Sequence, residues 1–280
     1  MRSNLLLALG VSLVMLSCNN ESTVNTEKKD SSQAGDSAQM AIKEEAVSYT
    51  ANDVTLKSFV AYNESSTAKR PIILVVPEWW GLTEYPRMRA KMLAEMGYFA
   101  VAVDMYGDGK QAGNPEEAQK EAMSFYTNPQ LGRERLDAAL QKAKTYAQAD
   151  TSQVVAIGYC FGGSMVLNYA KMGGPVAGVV SFHGGLEGVP PQKGTKAQFL
   201  ICHGAADSFV PQPQVDAFKK SMDSAGVAYT FKTYENATHA FTNPKATETG
   251  TKFKMPIQYN AAADSASWND MKTFFSKILK

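Results

Sequence analysis

Cysteine and histidine are scarce in this chain, and neither sign of charge dominates. Three cysteines and three histidines occur among 280 residues, too few for a scaffold held together by disulfides. The 28 Lys and Arg residues nearly balance the 27 Asp and Glu residues, which argues against a nucleic-acid partner and a polybasic membrane surface. No two histidines have metal-ligand spacing, and no P-loop or G-x-G-x-x-G motif occurs. We therefore expect neither a metal nor a cofactor.

Residues 1–17 at the amino terminus are predicted to be an export signal. Arg2 precedes an apolar run from Leu5 to Leu16, which is too short for a permanent transmembrane helix but suits a signal peptide. The run ends at Ser17-Cys18, which resembles the processing site of bacterial lipoproteins. That resemblance implies an exported protein held at a cell-envelope membrane by lipid on Cys18. The alternative is an ordinary signal peptide with an incidental cysteine.

The next segment, residues 18–45, is polar and nearly free of large apolar groups. Such a segment buries too little surface to offset its ordering entropy, so it is predicted to be a flexible tether. Residues 46–280 then form one domain. The hydrophobic share of 44% is sufficient for a substantial core.

Within this domain, predicted strands alternate with predicted helices. The run from Ile72 to Val76 is continuously apolar, as expected for a strand buried on both faces. The pattern predicts an α/β fold with a mostly parallel sheet and helices on both faces. Ligands of such sheets bind at the carboxyl ends of the strands. Strands are predicted at 54–62, 72–76, 99–103, 154–157, 176–182, 199–202 and 229–234, and helices at 83–96, 115–126, 131–148, 161–171, 213–225 and 261–279.

A glycine-rich turn between a predicted strand and a predicted helix carries Cys160. The segment 158–163 reads Gly-Tyr-Cys-Phe-Gly-Gly, the G-x-nucleophile-x-G turn with cysteine in place of the usual serine. Small residues on either side let the strand and helix approach, and the helix N-terminus favours negative charge that develops there. A buried structural cysteine is the alternative.

The partners of a nucleophile follow in the chain order of α/β-hydrolases. Asp207 comes just after the strand 199–202, and His239 lies in the loop after the strand 229–234. Of the other histidines, His203 ends a strand and suits a structural contact, while His183 could rim the pocket but belongs to no motif. Cys202 is predicted to be an inert core thiol.

Two further motifs complete a family resemblance. Glu78 stands in Pro-Glu-Trp-Trp-Gly at 77–81, and Asp104 and Tyr106 stand in Val-Asp-Met-Tyr-Gly at 103–107. With the three residues above, they resemble the dienelactone hydrolase family of α/β-hydrolases over roughly residues 46–280. The resemblance implies an α/β-hydrolase fold and a small-molecule ester or lactone substrate. It also implies that Cys160 attacks the ester carbonyl, while His239 moves the proton and Asp207 orients the imidazole.

The resemblance assigns further roles around the nucleophile. Glu78 would contact the resting thiol and help to generate the thiolate when substrate binds. The backbone N–H groups of Trp79 and Phe161 would form the oxyanion hole. Aromatic residues suggest a partly aromatic substrate pocket, with Trp80, Tyr106 and Phe241 as candidates.

The chain departs from the family where arginines bind a substrate carboxylate. Asp108 and Asn243 stand at those places; Lys110 or Lys245 could substitute, although an ammonium is a poorer partner for a carboxylate than guanidinium. We therefore predict an ester or lactone hydrolase whose substrate the sequence does not assign, and do not expect genuine dienelactone hydrolysis. The polar segment 242–258 could form a flap over the site. A non-catalytic binding protein on the same fold, or a cysteine peptidase or acyltransferase, are the alternatives.

Overall fold

The computed structural model describes residues 41–280, which form a single sheet flanked by helices. The predicted signal peptide, Cys18 and most of the predicted tether lie outside these residues. The strands are β1 (Ile42–Ala51), β2 (Val54–Asn63), β3 (Arg70–Val76), β4 (Phe99–Ala102), β5 (Ala149–Tyr159), β6 (Gly178–Phe182), β7 (Gln198–Gly204) and β8 (Tyr229–Tyr234). The helices are α1 (Glu84–Glu95), α2 (Pro115–Thr127), α3 (Pro129–Ala143), α4 (Phe161–Lys171), α5 (Gln212–Ala225), α6 (Ala246–Phe253) and α7 (Ala261–Ile278).

The eight strands lie in the order β1-β2-β4-β3-β5-β6-β7-β8. β1 and β2 form an antiparallel hairpin, and β2 also runs antiparallel to β4. From β4 to β8, every neighbouring pair is parallel. This topology, with a strand-to-helix crossover between most parallel neighbours, confirms the predicted α/β-hydrolase fold.

Two cores cover the two faces of the sheet, and β3 shows why its sequence is continuously apolar. Ile72, Leu74 and Val76 face one core, while Ile73 and Val75 face the other. Successive side chains of a strand point to opposite faces, so both sets must be apolar when both faces are covered. Helices α2 to α5 contribute to the first core, and α1 and α7 to the second.

Two elements were not anticipated from the sequence. Strand β1 begins at Ile42, inside the segment assigned to the tether, so the tether boundary at residue 45 is wrong. β1 lies at the edge of the sheet, where charged side chains are common, and its backbone hydrogen bonds come from the antiparallel pairing with β2. Helix α6 lies in the polar segment 242–258, where the sequence pattern indicated only a possible flap.

The parallel strands bring their carboxyl ends to one edge of the sheet. Glu78 follows β3, Cys160 follows β5, Asp207 follows β7, and His239 follows β8. Residues separated by as many as 161 positions along the chain therefore meet at this edge, where α/β sheets bind their ligands.

Candidate active site

Cys160 sits in a strained turn between β5 and α4. Its φ of 53° and ψ of −117° lie outside the regions that most residues adopt. A Cβ on Gly158 would lie 2.1 Å from the carbonyl oxygen of Gly162, and a Cβ on Gly162 would lie 2.3 Å from that of Val76. The two glycines are therefore required for the strand and helix to pack this closely, and the strain is held where a reactive side chain would be presented.

The backbone of Cys160 is also held by a histidine from the neighbouring strand end. The N–H of Cys160 donates to the carbonyl of Phe182 at 3.0 Å and to Nδ1 of His183 at 3.1 Å. His183 is buried. Burial, together with the charges of His239 and Arg89, lowers the pKa of His183 well below its usual value. Because Nδ1 accepts a hydrogen bond, the proton of this neutral ring is on Nε2.

That proton connects His183 to a buried polar network. His183 Nε2 donates to Oγ1 of Thr242 at 2.7 Å, and the hydroxyl of Tyr85 donates to the same oxygen at 2.6 Å. Arg89 donates to the carbonyl of Thr242 at 2.8 Å and pairs with Asp264 at 2.5 Å. The network links α1 and α7 to the loop that carries His239.

Asp207 and His239 form a buried pair beside Cys160. Their Oδ2 and Nδ1 atoms are 2.8 Å apart, and Asp207 Oδ1 accepts the N–H of Phe209 at 2.9 Å. Burial alone lowers the pKa of His239, but the adjacent Cys160 and the bond to Asp207 outweigh it and raise the pKa well above its usual value. The imidazole is therefore oriented by the acid and retains its proton readily.

Glu78 is also buried at this site and accepts a hydrogen bond from Asn243, with Oε2 and Nδ2 2.6 Å apart. Burial raises the pKa of Glu78 to about 7, against the opposing effects of Asn243, His239 and Arg89. Among residues 41–280 no hydrogen bond joins Glu78 to Cys160, although both side chains line the same cavity.

Two backbone N–H groups are available beside Cys160. Phe161 is the first residue of α4, so its N–H has no acceptor within the helix. The N–H of Trp79 has no acceptor within the described part of the chain. The hydroxyl of Tyr106 donates to the carbonyl of Trp79 at 2.8 Å, which positions that peptide. Asp104 in turn orders the Tyr106 loop by accepting several backbone N–H groups.

A cavity of about 400 Å³ opens above these groups and is called the active-site cavity. Its wall is largely apolar and aromatic, with Cys160, His239 and Glu78 exposed to the same space. The remaining lining residues come from the loop after β3, from α2, and from loops near α4, α5 and α6: Trp79, Trp80, Gln119, Ala122, Met123, Tyr126, Phe161, Gly185, Phe209, Val210, Ala240, Met255 and Ile257.

The dienelactone hydrolase family model matches residues 56–279. The chain belongs to this family. A dienelactone hydrolase-like promiscuous phosphotriesterase from metagenomic libraries, P91, is 31% identical, covers 85% of this chain and 99% of its own, and gives a TM-score of 0.79. A structure described as m3DLH is 30% identical, covers 86% of this chain and 100% of its own, and gives a TM-score of 0.81.

A relative from Methylorubrum extorquens is named "Putative carboxymethylenebutenolidase" and is 33% identical over 184 residues. That match covers 61% of this chain and 63% of the relative, which is less than two thirds of the relative's length. Together, the family and the names of its members indicate a hydrolase acting on ester or lactone bonds.

For this dienelactone hydrolase family member, two of the three predicted pocket aromatics are placed elsewhere. Trp80 lines the active-site cavity and stacks on Phe253 of α6, with ring centroids 5.8 Å apart. Phe241 is fully buried in the core and packs against His183. Tyr106 packs against Phe161 behind the cavity wall. Phe241 lies outside the cavity wall because it packs in the core. Tyr106 lies outside it because its hydroxyl bonds to the carbonyl of Trp79.

Cys202 and His203 do not line the active-site cavity. Cys202 is buried in β7, and burial raises the pKa of its thiol to about 12. His203 packs against Phe231, with ring centroids 5.7 Å apart. Residues 41–280 contain no cluster of three His, Cys, Asp or Glu side chains suited to a metal ion. Within the same range, no helix is both long and apolar enough to cross a membrane.

Sequence reasoning did not anticipate the roles of His183 and Asn243. His183 directly follows β6 and precedes two glycines, a position at the ligand-binding edge that marks it for closer attention. Asn243 was noted only as a residue that replaces an arginine. Its bond to Glu78 connects positions 165 residues apart, and no local pattern encodes such a contact.

Proposed function

We propose that the protein hydrolyses carboxylic esters or lactones through an acyl-enzyme on Cys160, with His239 as the acid–base group and Asp207 as its orienting partner. The observation that carries this proposal is the shared position of a strained Cys160 and the Asp207–His239 pair at one cavity. Nucleophile, base and orienting acid are the parts that covalent acyl transfer requires.

In the proposed reaction, the thiol of Cys160 first gives its proton to Glu78. The thiolate sulfur then bonds to the carbonyl carbon, and the carbonyl oxygen becomes an oxyanion. The N–H groups of Phe161 and Trp79 stabilise that charge. The C–O bond to the leaving group then breaks, and His239 gives it a proton. Water next adds to the thioester and passes a proton to His239. The C–S bond then breaks to release the acid and the thiolate, which takes its proton back from Glu78.

Glu78 would assist the first step, because it shares the cavity with Cys160 and burial raises its pKa to about 7, which makes it a stronger base than an exposed carboxylate. Its bond to Asn243 holds it to one side in the substrate-free protein. Substrate that contacts Asn243 would free Glu78 to accept the thiol proton, after which the thiolate attacks. The resemblance assigns this residue the same task.

The proposed substrates are uncharged esters or lactones with an apolar acyl part. Within the described residues, no Lys or Arg lines the active-site cavity. Lys110 pairs with Glu121 and Lys245 pairs with Glu84, and neither lysine lines the active-site cavity. A substrate carboxylate would be desolvated against apolar walls without a counter-ion, which is unfavourable.

Matched substrates test both parts of this proposal. We expect p-nitrophenyl butyrate to be hydrolysed with a kcat/KM about tenfold or more above that of mono-p-nitrophenyl succinate, which adds a carboxylate to the acyl chain. Cys160→Ala should abolish turnover of both. No turnover on a broad ester and lactone panel, with Cys160 unreactive to iodoacetamide at neutral pH, would refute the enzyme assignment. A preference for the succinate would refute only the substrate class.

A second candidate activity is the hydrolysis of phosphotriesters, favoured by the 31% identity to the promiscuous phosphotriesterase P91. An uncharged triester meets the same requirement for a neutral substrate. Turnover of diethyl p-nitrophenyl phosphate by the wild type, and its loss in Cys160→Ala, would support this activity.

We also propose that the chain is exported and anchored by lipid on Cys18, on the basis of the motif alone. Mass spectrometry of the mature amino terminus tests this. An acylated amino-terminal Cys18 supports the anchor, and a free thiol at that position contradicts it.

A further inference from the structure

A separate cavity of about 430 Å³ lies at the C-terminal end of α4. It is bounded by the segment after β6 and by the N-terminal half of α5, and shares no lining residue with the active-site cavity. Its walls are mainly apolar, with Leu186, Pro190, Pro211, Pro213 and Phe218 among them. We call it the Lys171 cavity, after the cation in its wall.

Lys171 is an unusual component of such a wall. The residue is only 3% exposed, yet residues 41–280 offer its ammonium no hydrogen bond and no carboxylate within ion-pair distance. Its nearest partner is the ring of Phe218, with Nζ 4.9 Å from the ring centroid. Burial lowers the pKa of Lys171 to about 8. The chain thus offers this ammonium only one aromatic ring as a partner. Its Nζ is not among the fully buried polar atoms, so it keeps access to the cavity, where an anion could pair with it.

Two further donors face the same space. The Oε1 atom of Gln214 accepts the N–H of Leu186 at 2.9 Å, so its Nε2 group points away from that bond. Gln214 and Ser221 both line the cavity, and neither the Gln214 Nε2 nor the Ser221 hydroxyl has a partner within the described part of the chain. One buried cation and two neutral donors beside apolar side chains suit a single anionic head. Glu187 also lines the cavity, but it is exposed to solvent, so its carboxylate stays hydrated.

We propose that the Lys171 cavity binds a small monocarboxylate with an apolar or aromatic body. The carboxylate pairs with Lys171 and accepts from Gln214 and Ser221, while the body packs against the prolines and Phe218. A monoanion matches the single buried positive charge, whereas a phosphate dianion would leave a second charge desolvated. Lys171 is only 3% exposed, so its ion pair with the ligand is screened less by water than a surface pair, and the charge on the ligand contributes to affinity.

Calorimetric titration with sodium benzoate tests the site, with benzamide as the neutral ligand of the same shape. We expect benzoate to bind at least about tenfold more tightly than benzamide, and Lys171→Met to weaken benzoate binding by about tenfold or more. Equal affinity for the two ligands, or unchanged benzoate binding in Lys171→Met, would overturn the proposal.

Two more variants show whether benzoate binds in the Lys171 cavity or in the active-site cavity. Ala217→Trp, at an exposed position of α5 that lines the cavity, fills the space without removing the charge and should also abolish benzoate binding. His239→Ala should leave benzoate binding unchanged, since His239 lines only the active-site cavity. Loss of binding in His239→Ala with retention in Lys171→Met would place benzoate in the active-site cavity and overturn the proposal.

Discussion

Replacing Glu78 by glutamine should stabilise the protein at alkaline pH and leave its stability nearly unchanged at acidic pH. Glu78 is 4% exposed, and burial raises its pKa from 4.5 to about 7. Between these two values the folded state binds more protons than the unfolded state, so stability falls as the pH rises. The stabilising contribution of the protonated form is complete below pH 4.5 and is lost as the pH rises through about 7.

The magnitude follows from the size of the shift. A rise from 4.5 to about 7 corresponds to about 3 kcal/mol, at 1.36 kcal/mol for each pKa unit. The glutamine variant has no charge to desolvate and can still accept from Asn243. We therefore expect Glu78→Gln to exceed the wild type by about 3 kcal/mol in unfolding free energy at pH 8 and by little at pH 4.5.

Urea denaturation of both proteins between pH 4.5 and 8 measures this difference. Glu84→Gln is the matched control, because the side chain of Glu84 is 83% exposed and its charge remains hydrated. A stability difference between Glu78→Gln and the wild type that does not vary with pH would refute the reasoning. The variant should also lose esterase activity, which would show that the desolvated carboxylate is retained for function.

Three other predictions concern the turn, the buried network and the base. Gly158→Ala should lower the unfolding free energy by about 1–3 kcal/mol in urea denaturation, because the new Cβ would lie 2.1 Å from a backbone oxygen. Gly113→Ala is the control and should have little effect, because the nearest atom to its Cβ would be 3.5 Å away. Arg89→Met should lower the unfolding free energy by about 3–5 kcal/mol, since it leaves a paired carboxylate uncompensated; a loss below about 1 kcal/mol would contradict this role. His239→Ala should abolish ester turnover while His203→Ala retains it, and equal losses in correctly folded variants would reverse the assignment of the base.

The order of the elements was predictable because the apolar runs are local. β3 is apolar at every position from Ile72 to Val76 since both faces are covered, and that pattern is visible without coordinates. β1 was not predictable, because its charged residues resemble a tether and its hydrogen bonds come from β2. Helix α6 was missed for a similar reason: it is short and polar, and Phe253 finds its partner, Trp80, only in the folded protein.

The sequence by itself determined the family, the turn around Cys160 and the chain order of the candidate acid and histidine. Those features depend on residue type and on position relative to a strand, and neighbouring residues encode both. Only the tertiary structure decided that Asn243 holds Glu78 and that His183 accepts from the backbone of Cys160. It also decided that Phe241 belongs to the core and that Lys171 is buried without a counter-ion. Such relationships join residues from different strands and helices, and burial and hydrogen bonding depend on what the complete fold brings together.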